Sequence, residues 1–457
     1  MPVISVIGAS TLWFPTIATD LLAVFNEPVE FRLLDINPEN LARCARWGEA
    51  ANRYHKRQDK YWQFTEKREC LRGADAVLIC VSTGGLKTMA FDIAIPEKYG
   101  IFATVGDTAG PSGFSRAIRN IPVFADFARD CELECPDAFI ANYCNPMSAL
   151  TAALQLNCSN PVVGLCHAYF ETKDRIKSLF GLSDWSKISL QIAGVNHFHW
   201  VIEFKIGKED GYKLLRQKIG NGNIRDLRPY ADMPEIDCNG KRSIYFGTEV
   251  FAALYDAYGY LPYCGDRHTA EFLNFTISQY PELCKLDNHD GGFYEGFKRL
   301  DLVRTSIAVR EKQVVDRTAH CEEIIAGTKP MPERSRETAA EMIYAYINNR
   351  PFMDVVNVRN IGQIPGLPLG ACVETLGMVD ALGVHPCTVP GIPEPLLELM
   401  RTPAQCQKWL LDGILQKDRN MILEAFYHDQ QCAGMKPQKI RELFEEIMEA
   451  NQAYFKL

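Results

Sequence analysis

The amino-acid sequence predicts an α/β protein: a Rossmann-like, doubly wound parallel sheet followed by a C-terminal α+β catalytic domain. Three features of the chain lead there. The apolar run Val3 to Ile7 stops at Gly8 and passes into a helical pattern. Further short apolar runs follow, each closing on small or polar residues. Past Cys166 this alternation ends, and two strand-like segments flank Asn196-His197. A chain of 457 residues has room for two domains. The expected division is 1–190 for a dinucleotide-binding unit and 191–457 for substrate binding and oligomerisation.

After the first strand, TLWFPTIATDLLAVF carries Leu12, Ile17, Leu21, Leu22 and Phe25 on roughly helical spacing, with Pro15 tolerated in the first turns. Strand, glycine turn and helix make the first half of a mononucleotide-binding unit. The second strand, Phe31 to Leu34, ends at Asp35, 27 residues after Gly8. A carboxylate there is placed to accept hydrogen bonds from an adenosine ribose and to repel a 2′-phosphate, which favours NAD over NADP. The turn reads Gly8-Ala9-Ser10 instead of a three-glycine fingerprint, and a lone glycine turn also occurs in α/β proteins that bind no nucleotide. The later strands add weight. They are expected at Ala76 to Val81, Ala138 to Asn142 and Val162 to Leu165. They run into Ser82-Thr83-Gly84-Gly85, Tyr143-Cys144-Asn145-Pro146 and Cys166-His167. Because the carboxyl ends of parallel strands line the ligand crevice, these clusters should converge on one site. Gly8, Ser10, Asp35, Ser82, Thr83 and Asn142 are the candidate cofactor contacts.

Beyond Cys166, LQIAGV and WVIEFKI read as antiparallel strands joined by a polar turn. Helices are expected at GTEVFAALYDAYG and at the amphipathic RELFEEIMEANQAYF, and the apolar C-terminal helices offer an interface between copies of the chain. The glycine- and proline-rich IGQIPGLPLG and HPCTVPGIPEP are read as irregular connections. Hydrophobic content of 47% and charge of 23% exclude disordered and fibrous classes. With 49 basic against 57 acidic residues and no basic stripe, nucleic acid is not an expected partner. No apolar stretch approaches the roughly 20 residues of a membrane helix. The opening MPVISVIGAS reads as a strand and not a leader, so a cytoplasmic protein without a membrane partner is expected. The 16 cysteines are scattered through apolar runs with no C-x-x-C pair, which suits buried thiols in a reducing compartment and not a structural zinc site.

Cys166 and His197 are the candidate metal ligands. A cysteine at a strand end also serves as core, and a histidine in a turn as a surface or hydrogen-bonded residue. Two protein ligands completed by substrate oxygens and water would suit a Mn²⁺-like ion open to its substrate. Asp266, with Arg267 and His268 beside it, reads as a general base or as an N-cap for the helix beginning at His268. Asn142 and Asn145 can bond substrate hydroxyls or a nicotinamide, or shape the turn before Pro146. Arg116 and Arg119, one helical turn apart in VGDTAGPSGFSRAIRNIPV, can hold an anionic group or lie on a solvated face.

These segments together resemble glycoside hydrolase family 4, the NAD- and metal-dependent glycosidases, over nearly the whole chain. The matching stretches are VIGAS, LLDINPENL, GADAVLICVSTGG, IPEKYGI, GDTAGPSGFSRAIRNIPV, NYCNPM, GLCH, AGVNHF, GDRHTAEF, VVNVRNIGQIPGLP, ACVE and GVHPC. GLCH and GVNH place Cys166 and His197 31 residues apart. Within the family, GDTxGPxG and GDRHxAEF are most similar to the α-galacturonidase and α-glucuronidase branch. The resemblance implies a lactate/malate dehydrogenase-like fold, NAD and Mn²⁺ or a similar divalent cation as cofactors, and Cys166 and His197 as metal ligands. It implies a homodimer or homotetramer and substrate contact by Asn145; Arg267, Arg116 and Arg119 are the candidate partners of a uronate carboxylate, with His268 beside Arg267 as a further candidate substrate contact. It also implies Asp266 as the base and His167 as an aid to the leaving group. The chain departs from the family at Gly8-Ala9-Ser10, which lacks a common glycine, and at Ala168-Tyr169, where uronidases often carry Glu-Val.

The reaction so implied is hydrolysis of an α-hexuronide, α-galacturonides first, by C3 oxidation, C2 deprotonation and elimination of the aglycone. Other sugars remain as alternatives, among them α-glucuronides, α-glucosides and α-galactosides. A plain NAD-dependent hydroxy-acid dehydrogenase and a non-catalytic sugar or nucleotide sensor are the rival classes.

Overall fold

A computed structural model describes residues 1–227, 249–276, 286–289, 294–297 and 302–455. Its first half is built on six parallel strands: β1 (Val3–Ile7), β2 (Glu30–Leu34), β3 (Lys60–Phe64), β4 (Ala76–Ile79), β5 (Phe139–Asn142) and β6 (Val162–Gly164). They lie in the order β3-β2-β1-β4-β5-β6, the doubly wound arrangement, with all five pairings parallel. The central strands β4 and β5 are covered on both faces, and every residue of both is buried, as their unbroken apolar runs require. β3 is the edge strand. Its KYWQF is largely exposed, so it lacks the apolar run by which the others are legible.

Helix Phe14–Val24 begins two residues later than its pattern suggests. Trp13 N and Phe14 N bond Ser10 O across a turn, which leaves Leu12 off the helix and 45% exposed. Phe14 then points into the core, 6.0 Å from the ring of Phe31 and 5.8 Å from that of Trp47. One face of the sheet is covered by Phe14–Val24, Pro38–His55 and Ala339–Asn348. The other face is covered by Gly110–Glu134, Met147–Asn157 and the C-terminal helices Glu394–Gln416, Arg419–His428 and Pro437–Ala450. The apolar stripe of Pro437–Ala450, with Ile440, Leu443, Phe444 and Ile447, is buried inside the chain against Phe426. That stripe is therefore not a free interface, contrary to the expectation from its amphipathic sequence.

The second half adds its own strands to the same sheet: β7 (Ile188–Val195), β8 (Phe198–Ile206), β9 (Glu209–Asp210), β13 (Phe352–Arg359), β14 (Cys372–Asp380) and β15 (Gly383–Pro386). Between them in sequence, β10 (Leu286–His289), β11 (Tyr294–Phe297) and β12 (Leu302–Thr305) form a separate antiparallel sheet. β13 pairs with β6 through Asn357 and Gly164, and β14 pairs with β7 through Glu374 and Gly194. One backbone ladder thus runs from the nucleotide-fold half into the second half. β7 and β8 form the expected hairpin, closed by Asn196-His197. The helix expected from Gly247 runs Glu249–Tyr258 where it is described; Gly247 and Thr248 lie outside the described residues. Among the described residues no helix is long and apolar enough to cross a membrane, and every cysteine is a free thiol.

Phe14 is fully buried at the meeting of β2 and helices Phe14–Val24 and Pro38–His55. Phe14→Ala is expected to cost about 3–5 kcal/mol of stability, read from urea unfolding. A cost under about 1 kcal/mol would show that this corner repacks freely.

Candidate active site

The strand ends of the first half supply a crevice. At the end of β1, Gly8 has φ +89°, and a Cβ there would lie 2.1 Å from the carbonyl oxygen of Cys80 on the neighbouring chain segment. Only glycine fits this turn. Ser10 is half-buried, with its carbonyl starting the following helix. Asp35 is half-buried just past β2; burial is the main influence on its carboxyl and raises it above the usual carboxylate range. Ser82 is exposed and Thr83 half-buried beside it, with Thr83 N donating to Asn120 Oδ1 at 3.1 Å. Asn142 is fully buried. Its amide donates to Thr151 Oγ1 at 3.0 Å and its oxygen accepts from Cys144 N at 2.8 Å, so the side chain shapes the turn and does not face the crevice.

A second group of side chains meets at the mouth of this crevice. Asp107, from the loop before helix Gly110–Glu134, lies with His197 of the β7–β8 turn and His268 of the turn Asp266–Thr269. One ligand atom from each falls within 4.8 Å of the other two. Thr108 Oγ1 bonds Asp107 Oδ1 at 2.7 Å and His197 Nδ1 at 2.9 Å, and the two imidazoles stack with centroids 3.8 Å apart. Burial pushes the Asp107 carboxyl up, but His268, His197, Arg116 and the Thr108 hydroxyl outweigh it and hold it low. His197 takes a left-handed backbone, φ 66°, which a non-glycine residue adopts only when its surroundings impose it.

Asn145 donates to Asp107 Oδ2 at 3.1 Å, and its own buried Oδ1 has no hydrogen-bond partner among the described residues. Arg116 Nε donates to Asn145 O at 2.9 Å, and its terminal nitrogens make no hydrogen bond among the described residues. Arg119 is different. It is fully buried and its guanidinium grips both oxygens of Asp92, so the expectation that it binds a ligand anion is corrected. Arg267 is 2% exposed and donates to Thr104 O and Thr305 Oγ1 at 3.2 and 3.4 Å.

Cys166 is buried beside Asn196; burial, with Glu374 nearby, raises the thiol well above its ordinary value. Cys166 is not one of the three clustered donors. His167 is 60% exposed, 3.4 Å from Glu337 and 4.0 Å from Glu171, and the bond to Glu337 raises it to about 9. Asp266 is fully buried, and burial raises it to about 6. Its two oxygens accept from Val250 N at 2.8 Å and Phe251 N at 2.9 Å, so it caps helix Glu249–Tyr258 and not the short turn it begins.

Residues 3–182 match the family model described as family 4 glycosyl hydrolase, and residues 192–432 match its C-terminal domain. The chain belongs to glycosyl hydrolase family 4. An α-galactosidase of Bacillus subtilis is 29% identical over 93% of this chain and 92% of that protein. An α-galacturonidase of Thermoanaerobacter italicus is 27% identical over 98% of this chain and 96% of that one. Among solved structures, a 6-phospho-β-glucosidase of Thermotoga maritima, determined with manganese, NAD⁺ and glucose 6-phosphate, superposes with a TM-score of 0.76. That similarity spans 100% of both chains at 19% identity.

Three further carboxylates lie inside the stretches GDTAGPSG, GDRHTAEF and ACVE but are not among the candidate residues named from the sequence. Asp107 sits inside the GDTAGPSG stretch, where an acid between a glycine turn and a helix start is its local signal. Glu374 stands alone among apolar strand residues, which is the mark of a buried charge with partners. Glu271 accepts from Val105 N at 2.7 Å and Gly106 N at 2.9 Å, and so fixes the segment leading into Asp107. Burial raises the Glu271 carboxyl to about 7.

Because the folded chain holds this proton more tightly than the unfolded one, the stabilisation is complete below the unfolded carboxyl value of about 4.3 and is lost as pH rises through the folded value. Urea unfolding is therefore expected to show stability falling between about pH 4.5 and 7, with a shallower fall in Glu271→Gln. Equal slopes for the two proteins would remove Glu271 as the source.

Proposed function

We propose that this family 4 glycosidase hydrolyses α-hexuronides, α-galacturonides first among them, with NAD⁺ and Mn²⁺ or a similar divalent ion. The observation carrying the uronide reading is Arg116. Of the three arginines considered, Arg119 is committed to Asp92 and Arg267 is turned onto Thr104 and Thr305. Arg116 alone keeps its terminal nitrogens without a hydrogen bond among the described residues, next to Asn145 and Asp107. A guanidinium so placed suits a sugar carboxylate. The α-galacturonidase relative points the same way.

The residues present fit both cofactors. For the nucleotide, the Gly8 turn, Ser10 and the Asp35 carboxylate meet the needs of pyrophosphate and ribose. Gly85, beside Ser82 and Thr83, is exposed, with nothing within 4 Å of where a Cβ would stand. For the metal, His197 is the anchor we assign, with Cys166 as its soft partner and Asp107 and His268 as adjoining donors. Asn145 Oδ1, Asn196 Oδ1 and His268 Nδ1, buried without a hydrogen bond among the described residues, support a ligand-bearing centre here. When bound, NAD⁺ would supply a reversible hydride acceptor for C3 and the metal a Lewis acid for the negative charge that develops as the C2 proton, made acidic by a C3 ketone, is removed.

Asp266, raised to about 6 by burial, is the proposed acceptor of that proton. Each oxygen accepts one backbone N–H, from Val250 and from Phe251, and keeps a second lone pair for the proton, so helix Glu249–Tyr258 can stay capped during the reaction. His167, held protonated by Glu337 and open to solvent, is the proposed donor to the departing glycosidic oxygen. Asn145 Oδ1 orients a sugar hydroxyl. Water then adds to the enone left by elimination and the hydride returns to C3, so the net change is hydrolysis without redox, and this route needs no pair of flanking carboxylates, in keeping with the place of NAD-dependent family 4 enzymes outside the two-carboxylate rule.

The test is hydrolysis of p-nitrophenyl α-galacturonide with Mn²⁺, NAD⁺ and a thiol reductant, each omitted in turn, with the product made in D₂O analysed for deuterium at C2. Activity needing all three, with label at C2, is the expected result. Hydrolysis of the α-galactoside in preference to the galacturonide would overturn the sugar assignment; NADH accumulating on free sugar acids would favour a dehydrogenase. Arg116→Gln is expected to raise KM for the galacturonide by about 10-fold or more with a smaller change in kcat, the mark of lost uniform binding. An unchanged KM would take Arg116 out of substrate binding. Cys166→Ser and His268→Gln, compared by Mn²⁺ titration, separate the soft donor from the adjoining one: the larger loss is expected in Cys166→Ser.

A further inference from the structure

Glu374 has no solvent exposure, and its carboxylate gathers side chains from three other places in the fold. Oε1 accepts from His199 Nδ1 of β8 at 2.6 Å. Oε2 accepts from the amide of Asn196 in the β7–β8 turn at 3.1 Å and from that of Asn357 in β13 at 3.0 Å. The far nitrogen of His199 meets Thr172 Oγ1 at 3.1 Å, on helix Ala168–Phe180, which starts directly after Cys166-His167. Asn196 is itself fully buried, precedes His197 in the chain and lies beside the Cys166 thiol. A short chain of contacts therefore leads from Glu374 through Asn196 to both Cys166 and His197.

With His199 Nδ1 protonated, a carboxylate satisfies the whole set of donors. Three N–H donors reach its two oxygens, and neither oxygen has a proton to offer in return. A glutamine would keep one acceptor and turn an NH₂ group toward a donor, leaving a buried N–H without a partner. The same carboxylate orients the amides: Asn196 and Asn357 give their nitrogens to Glu374, and their buried oxygens have no partner among the described residues. Such an arrangement is expected where side chains are held ready for a ligand and not merely packed.

We infer that Glu374 is a positioning residue of the metal centre, fixing Cys166 and His197 through Asn196 and the His199–Thr172 bond before an ion binds. This rests on reading the site as a metal centre. Glu374 touches neither sugar nor ion in this role; its effect is exerted through the attitude of the ligands.

The experiment titrates the full metal-free chain with Mn²⁺, following the free ion by electron paramagnetic resonance, and measures NAD⁺ binding on the same preparation by calorimetry. In Glu374→Gln, Mn²⁺ binding is expected to weaken about 10–100-fold with NAD⁺ binding unchanged. Glu374→Asp, which keeps two acceptor oxygens, should fall between that variant and the native chain. Loaded with Co²⁺, the native protein should show a sulfur-to-cobalt charge-transfer band that Glu374→Gln weakens. Equal Mn²⁺ affinity and identical Co²⁺ spectra in native chain and Glu374→Gln would overturn the inference. If Glu374→Gln loses NAD⁺ binding as well, Asn196→Ala decides, because it removes the side chain that stands between Glu374's carboxylate and the ligand-bearing turn while leaving Glu374 with His199 and Asn357. Unchanged Mn²⁺ affinity there would overturn the inference too. A native chain that binds NAD⁺ but no Mn²⁺ would instead overturn the metal-centre reading, and the inference with it.

Discussion

The antiparallel ladder from β6 through β13 and β14 to β7 is the constraint on which the rest of the molecule depends. A doubly wound sheet on its own ends at β6, with Cys166 at an open edge. By pairing Asn357 with Gly164 and Glu374 with Gly194, the second half continues the same sheet and delivers the β7–β8 turn to the mouth of the crevice. Sequence-distant residues thereby become neighbours through main-chain hydrogen bonds, which fix distance and direction more tightly than side-chain packing would.

Buried charge then refines what the ladder sets coarsely. Glu374 collects its donors from beneath the turn, Glu271 holds the segment leading to Asp107, and Asp92 fixes Arg119. None of these carboxylates is solvated, so each is worth keeping only while every partner is present. The three clamp different approaches to one place, and no apolar packing could define that place so narrowly.

Much of this was legible in the residues. The strands that lead into Gly8, Ser82, Asn145 and Cys166 are continuous apolar runs because both faces of the sheet are covered, and burial of that kind writes itself into composition. The hairpin around Asn196-His197 followed from alternation on each side of a polar turn. β3 did not show, since an edge strand with solvent on its side needs no apolar run. The joining of β13 and β14 to β6 and β7 was invisible for a different reason: strand pairing across such sequence distances leaves no periodicity in either segment. The same distance hid Asp107 from His268, and hid the commitment of Arg119 to Asp92, since a pair of arginines one turn apart says nothing of what lies opposite.

The left-handed backbone at His197 has a consequence of its own. A residue with a Cβ is held there at an energetic disadvantage of roughly 1–2 kcal/mol, which a glycine would not feel. Selection for robustness alone would replace this histidine, and the most stabilising replacement is the one that deletes the imidazole. The turn is therefore a point where thermal resilience and chemistry pull in opposite directions. Attempts to harden the protein by consensus or loop rigidification will tend to erode that position first.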